Sequence, residues 1–183
     1  MMNSLSLFFG LKAKKKPDFP KKLNSGTAIV YMTMHGTTYK VACLIKDLLN
    51  ESSTILVDLA KEKAPDLSLC SRIIIGGSIH MGKIQKEITS FCEHNKAVLL
   101  SKQYGLFLCC MYDGDKAIDQ FKRAYPKIIR DSAKSKALMG YELNFDRMNL
   151  IERAMTKKIS GFSGFMSKIN YEELNRFVKE LKS

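Results

Sequence analysis

From Thr27 onward, the apolar positions of this chain alternate between short continuous runs and helically spaced stripes. Thr27–Thr33 (TAIVYMT) is β-branched and apolar and ends in a Gly/Thr turn, which predicts a strand. Tyr39–Asn50 then carries Val41, Ala42, Ile45, Leu48 and Leu49 at helical spacing. Thr54–Leu59 is the next strand candidate. Ser71–Gly77 (SRIIIGG) is the third, its three consecutive isoleucines expected of a strand covered on both faces. Ile84–His94 predicts a helix with Ile84, Ile88 and Phe91 on one side. Tyr104–Met111 (YGLFLCCM) reads as a fourth buried strand, Lys116–Arg130 as a helix and Lys136–Leu143 as a fifth strand. Tyr171–Lys182 closes the pattern as an amphipathic helix with Leu174, Phe177, Val178 and Leu181 apolar. Five buried strands alternating with helices predict an α/β, doubly wound, three-layer sandwich with a parallel sheet.

Two segments stand outside this rhythm. Residues 1–24 combine an apolar tip (Leu5, Leu7, Phe8, Phe9, Leu11) with Lys12, Lys14, Lys15, Lys16 and two prolines. They read as a basic N-terminal extension, either a disordered tail or a peripheral membrane anchor, which leaves 25–183 as the domain. The apolar run precedes the lysines, the reverse of a secretory signal, and no stretch approaches the roughly 20 apolar residues that span a bilayer. The expected location is therefore cytoplasmic, with peripheral contact to the inner face of the membrane as an option. The second segment, an insertion at about 145–168, is longer than a strand-to-helix connection needs. Its Met148, Ile151, Met155 and Ile159 make one helical stripe. That stripe either packs on its own domain or presses on a membrane or hydrophobic partner, with flanking cations meeting lipid phosphates.

Charge narrows the partners. Thirty Lys and Arg against 18 Asp and Glu leave a formal net charge of +12. That excess points to an anionic partner, whether an acidic substrate, an anionic membrane surface or nucleic acid, and says nothing of fold. The five cysteines (Cys43, Cys70, Cys92, Cys109, Cys110) show no C-x-x-C spacing, and most sit in apolar runs. They read as reduced, buried thiols. No recognisable base accompanies any of them, so no catalytic residue and no metal site is assigned.

Three loops fall at the carboxyl ends of predicted strands, where ligands bind in such sheets. Thr33-Met34-His35-Gly36-Thr37-Thr38 lacks the lysine of a Walker loop and the glycine spacing of a dinucleotide fingerprint. Its hydroxyls, its glycine and the free N–H groups of a helix start suit a phosphate monoester, although a Thr-rich helix cap would look the same. Gly76-Gly77-Ser78-Ile79-His80-Met81-Gly82-Lys83 lets the backbone approach a flat ring closely, or is a flexible connection. In Cys110-Met111-Tyr112-Asp113-Gly114-Asp115, Tyr112 can stack on an aromatic ring while Asp113 and Asp115 can cap the next helix. His35 and His80 are either hydrogen-bonding loop residues or groups that respond to charge on a bound cofactor.

These loops resemble those of the flavodoxin family. The T-x-x-G-x-T loop is typical of flavodoxins at large. GGSIHMGKIQKEITSF and MGYELNFDRMNLIERAMTKKISG are similar to the menaquinone-dependent protoporphyrinogen oxidase branch. The similarity covers roughly residues 27–182. It implies a flavodoxin-like five-stranded parallel sheet of order 2-1-3-4-5, with FMN phosphate on Thr33, His35, Gly36, Thr37 and Thr38, Met34 lying in the same loop. It implies an isoalloxazine between Gly77, Ser78, Ile79, His80, Met81 and Gly82 on one side and Cys110, Met111, Tyr112, Asp113 and Gly114 on the other. The chain has no tryptophan, so the Trp that often stacks on the flavin of small electron carriers is absent. If the closer resemblance holds, the donor is a porphyrinogen and the acceptor a quinone, with Lys83, Arg147 and Arg153 as candidates for substrate carboxylates. The strong basic charge favours that branch over the typically acidic soluble carriers. The alternatives are a non-enzymatic carrier serving a redox partner protein and a cofactor-free binding module on the same scaffold. A nucleic-acid partner is not the leading expectation.

Overall fold

Ile73, Ile74 and Ile75 are all 0 % exposed, and they alternate between two separate apolar clusters as a strand's period of two requires. The computed structural model of the chain describes residues 26–63 and 66–183, so the expectations for the 1–24 extension lie outside the described residues.

The main sheet is built from β1 (Gly26–Tyr31), β2 (Ile55–Asp58), β3 (Cys70–His80), β4 (Lys83–Ile84), β5 (Gln103–Cys109) and β6 (Ser135–Leu138). Its order is β2-β1-β3-β5-β6, all parallel, with the short β4 paired antiparallel to β3. The five parallel strands thus run 2-1-3-4-5 in chain order, as the flavodoxin resemblance implied. The order reverses between β1 and β3.

Helix α1 (Thr37–Leu49) buries Val41, Ala42, Ile45 and Leu49 against Ile29, Tyr31 and Ile74 on one face. On the other face lie α2 (Lys86–His94), α3 (Lys96–Leu100), α4 (Gly114–Ala124) and α5 (Lys127–Ser132). They bring Ile88, Leu99, Phe121 and Ile129 onto Ile73, Ile75, Leu106 and Leu108. No helix among the described residues is long and apolar enough to cross a membrane.

Three expectations change. The helix expected over Lys116–Arg130 is two, because Pro126 pushes Tyr125 to extended backbone (φ −118°, ψ 142°). Tyr125 turns inward there, and its hydroxyl donates to the Phe107 carbonyl at 2.5 Å. The helix expected from Ile84 begins at Lys86, since Lys83 and Ile84 form β4 instead.

The strand expected over Lys136–Leu143 is also two. Gly140 at φ +70° lets the chain leave the sheet, and a side chain there would strike the Lys168 carbonyl. Beyond it, β7 (Gly140–Asn144) pairs antiparallel with β8 (Phe165–Ile169), and α6 (Leu150–Ser160) lies between them. The excursion therefore returns to its point of departure, where Asn170 N–H donates to the Met139 carbonyl at 3.1 Å.

The closing helix α7 (Tyr171–Lys182) completes the face begun by α1. Phe177 is 0 % exposed and meets Phe107 edge-on, ring centroids 6.4 Å apart at 76°. Gly105 makes the room: a Cβ there would sit 2.7 Å from the Phe177 ring. Arg176 fastens the helix to the sheet edge by donating to the Lys136 carbonyl at 2.7 Å, and is itself steadied by donating to Glu180 of the same helix at 2.6 Å. Phe177→Ala removes the ring without relieving any strain, so it should cost about 3–5 kcal/mol of stability. Urea unfolding followed by circular dichroism measures this, and a loss under about 1 kcal/mol would show that α7 does not close the core.

Candidate functional site

At the carboxyl ends of β1, β3 and β5 a cleft of about 570 Å³ opens beside the point where strand order reverses. Its floor and walls come from the three expected loops and, in addition, from the β7–α6–β8 excursion.

The first loop is shaped by Gly36, at φ +102°, whose N–H donates to Thr33 Oγ1 at 3.0 Å. Gly36 occupies the cap position of α1, and among the described residues no side chain caps that helix start. Thr33, Met34, His35, Thr37 and Thr38 line the cleft. Gly36 does not line it; the Arg147 guanidinium lies against its Cα instead. Arg147 Nη1 donates to the His35 carbonyl at 3.2 Å, so a fixed cation joins the positive end of the α1 dipole. Thr37 donates to the Glu142 carbonyl at 3.2 Å and Lys40 pairs with the Glu142 carboxylate, tying α1 to β7.

The second loop is a tight hairpin rather than a flexible connection. His80 pairs with Lys83, leaving Met81 (φ +49°) and Gly82 (φ +81°) as a two-residue turn with both φ angles positive. Met81 bears this left-handed backbone without being glycine, and its side chain is 73 % exposed at the cleft. Ser78 is held by Gln85, which accepts from its N–H at 3.0 Å and donates to its hydroxyl at 2.8 Å. The Ser78 hydroxyl proton is therefore left to donate elsewhere. Ser78, Ile79, His80, Met81 and Gly82 line the cleft, while Gly77 packs beneath them on Ile84.

From the third loop, Cys110, Met111 and Tyr112 line the cleft. Asp113 and Gly114 lie outside it and open α4, although the Asp113 side chain caps nothing. Lys116 Nζ stands 5.5 Å from the Tyr112 ring centroid. Burial pushes the Cys109 thiol up to about 12 and the Cys110 thiol up to about 11. At neutral pH both are thiols, and neither is a nucleophile.

The excursion supplies what the sequence did not disclose. Tyr141, Glu142, Leu143, Asn149, Glu152 and Thr156 join the cleft, as does Gln120 from α4. The Met148, Ile151, Met155 and Ile159 stripe forms one wall, and all but the buried Met148 remain substantially exposed to it. Of the candidate cations, Arg147 braces the first loop, whereas Lys83 is exposed on β4 away from the cleft lining. Arg153 Nε donates to the Met148 carbonyl at 2.9 Å, and its side chain borders a separate hollow with Phe145 and Lys157.

Hydrogen-bond satisfaction is incomplete in this cleft. Five buried side-chain polar atoms lack a partner among the described residues, and three of them, on His35, Thr38 and Gln120, belong to cleft residues. Thr38 Oγ1 makes no more than a loose approach to the Cys109 thiol. A buried polar group left unpaired costs about 1–3 kcal/mol, which a ligand's donors and acceptors recover. The hydroxyls and bare N–H groups at one end suit an anion; the apolar wall and Tyr112 suit a flat ring.

Comparison with known proteins agrees with this architecture. Flavodoxin 1 from Bacillus cereus superposes with a TM-score of 0.51 at 14% identity, over 86% of this chain and 97% of its own. A flavodoxin, WrbA-like protein from Agrobacterium tumefaciens superposes with a TM-score of 0.51 at 14% identity, over 86% and 98%. At such identities the likeness is one of fold. No curated protein matches the sequence. The family model described as the flavodoxin domain matches residues 28–168, and the chain therefore belongs to the flavodoxin domain family.

Proposed function

We propose that this chain is an FMN-dependent redox protein whose cleft also admits a flat, apolar co-substrate. The observation that carries the reading is the pair of unsatisfied cleft atoms, Thr38 Oγ1 and Gln120 Oε1, flanking a lining that is anion-seeking at one end and apolar at the other. Thr33, Thr38 and the N–H groups at the start of α1, that of Thr37 included, would hold the 5′-phosphate, with Arg147 and the helix dipole supplying positive charge. The Ser78–Gly82 hairpin and the Cys110–Tyr112 loop would flank the ring, where the free Ser78 proton and the Gln120 acceptor complement its carbonyl and N–H edge. Bound there, a flavin supplies one- and two-electron chemistry; the protein orients it, shields it from water and sets its electrostatics.

The finer reading is an oxidase resembling the menaquinone-dependent protoporphyrinogen oxidases. Two features support it. Ile151, Met155 and Ile159 give the cleft an apolar wall that a buried electron-transfer cofactor alone does not require. The +12 charge favours a substrate bearing carboxylates or an anionic membrane surface near a dissolved quinone. Arg147 is the candidate cation nearest the site, with Lys83 and Arg153 further out. The competing reading is a carrier that passes electrons to a partner protein through the same flavin.

Because Thr38 Oγ1 makes no firm hydrogen bond within the fold, Thr38→Val should leave stability unchanged yet weaken FMN about tenfold, the worth of one good hydrogen bond. Titration by quenching of flavin fluorescence measures both constants; equal affinities would remove the phosphate from this loop. For the finer reading, FMN-loaded protein is mixed without oxygen with protoporphyrinogen and a menaquinone analogue. Porphyrin fluorescence should rise above the protein-free control. No rise would leave the carrier reading in its place, and protein that stays colourless after FMN addition would sink both.

A further inference from the structure

His35, His80 and Glu152 come from three distant parts of the chain and meet at the cleft. One lies in the β1–α1 loop, one at the end of β3 and one in the first turn of α6. Glu152 Oε1 is 3.5 Å from His35 Nε2 and 3.5 Å from His80 Nε2, and the three ligand atoms lie within 4.8 Å of one another. A hydrogen bond between imidazole and carboxylate would close to roughly 2.7–3.2 Å. A separation of 3.5 Å also matches neighbours around a shared cation. Bonds of about 2.0–2.2 Å at tetrahedral angles hold ligand atoms about 3.3–3.5 Å apart.

The surrounding bonds fix the chemistry of two ligands. His35 Nδ1 is 3.1 Å from the Arg147 carbonyl, an obligate acceptor, so Nδ1 carries a hydrogen and Nε2 is the ring nitrogen left to serve as a ligand. That Nε2 is buried and has no hydrogen-bond partner among the described residues. Glu152 Oε2 accepts the Asn149 N–H at 2.8 Å, which turns Oε1 toward the histidines. Two ring nitrogens and one carboxylate oxygen thus converge on one point. A carbonyl behind one ligand and an amide behind the other is the outer support expected of metal ligands.

We propose that His35, His80 and Glu152 form a zinc-class divalent metal site that pins α6 across the two cofactor-side loops. Two imidazoles and one carboxylate are a zinc ligand set that leaves one tetrahedral position open. His80, with 31 % of its side chain exposed, has the freedom to adjust the separation of the two imidazoles. The site goes beyond the flavin reading and does not depend on it.

The test is calorimetric titration of Zn²⁺ into chelator-treated full-length protein without FMN, repeated on variants. The wild type should bind one equivalent, and Glu152→Gln and His80→Asn should each weaken it at least tenfold. His94→Asn should change nothing, since His94 lies on α2 beside Ser90. Gln at 152 can still accept the Asn149 N–H, so the helix start survives, and circular dichroism checks the fold. In the wild type alone, zinc should also slow amide exchange over residues 150–160. Absence of one-equivalent binding, or equal affinity in all variants as thiol-bound zinc would give, would overturn the proposal. Because FMN takes no part, a failed flavin titration and a failed zinc titration are separate results.

Discussion

The rest of the structure depends on β3 being dry on both sides. Ile73 and Ile75 must be covered by the α2–α5 layer and Ile74 by α1 and α7, so the chain has to cross from one face of the sheet to the other. That crossing reverses the strand order between β1 and β3, and a reversal leaves the two following loops diverging with no helix over the gap. The cleft is therefore a by-product of covering the sheet. Its polar lining leaves Thr38 Oγ1 and Gln120 Oε1 without a hydrogen-bond partner among the described residues.

Much of this was legible in the sequence because periodicity reports burial. Continuous apolar runs marked four of the five parallel strands closely, and the amphipathic stripes of α1 and α7 marked the helices that cover one face. Pro126 and Gly140 carried their signals in plain view, one ending α4 and the other turning the chain out of the sheet, yet apolar periodicity ran smoothly through both. Local rules and burial pattern disagreed at those two points, and the local rule won each time.

The cleft was only half legible for a different reason. Loops following strands can be located by counting strands, which is how Thr33–Thr38, Ser78–Gly82 and Cys110–Tyr112 are found together. Gln120, Tyr141 and Glu152 sit in elements whose sequence explains them without any ligand. Glu152 is the clearest instance: three residues after Asn149, it reads as half of a capping box, and it is one. Its other oxygen faces two histidines more than 70 positions away, a fact that only tertiary structure contains. The Ile151–Met155–Ile159 stripe likewise has a helical period whether it faces a core, a bilayer or a cleft.

The hydrogen bond between Asn170 and Met139 has a consequence for how such a protein can diversify. The excursion from Gly140 to Ile169 leaves the sheet and returns beside the strand end it left, so each doubling of its length adds only about 0.6 kcal/mol of closure entropy. Residues within it can be exchanged, lengthened or recharged without moving β6 or α7. The wall opposite the cofactor-side loops is in that sense an interchangeable part: selection acting on it can change which molecule enters while the machinery beneath stays as it was.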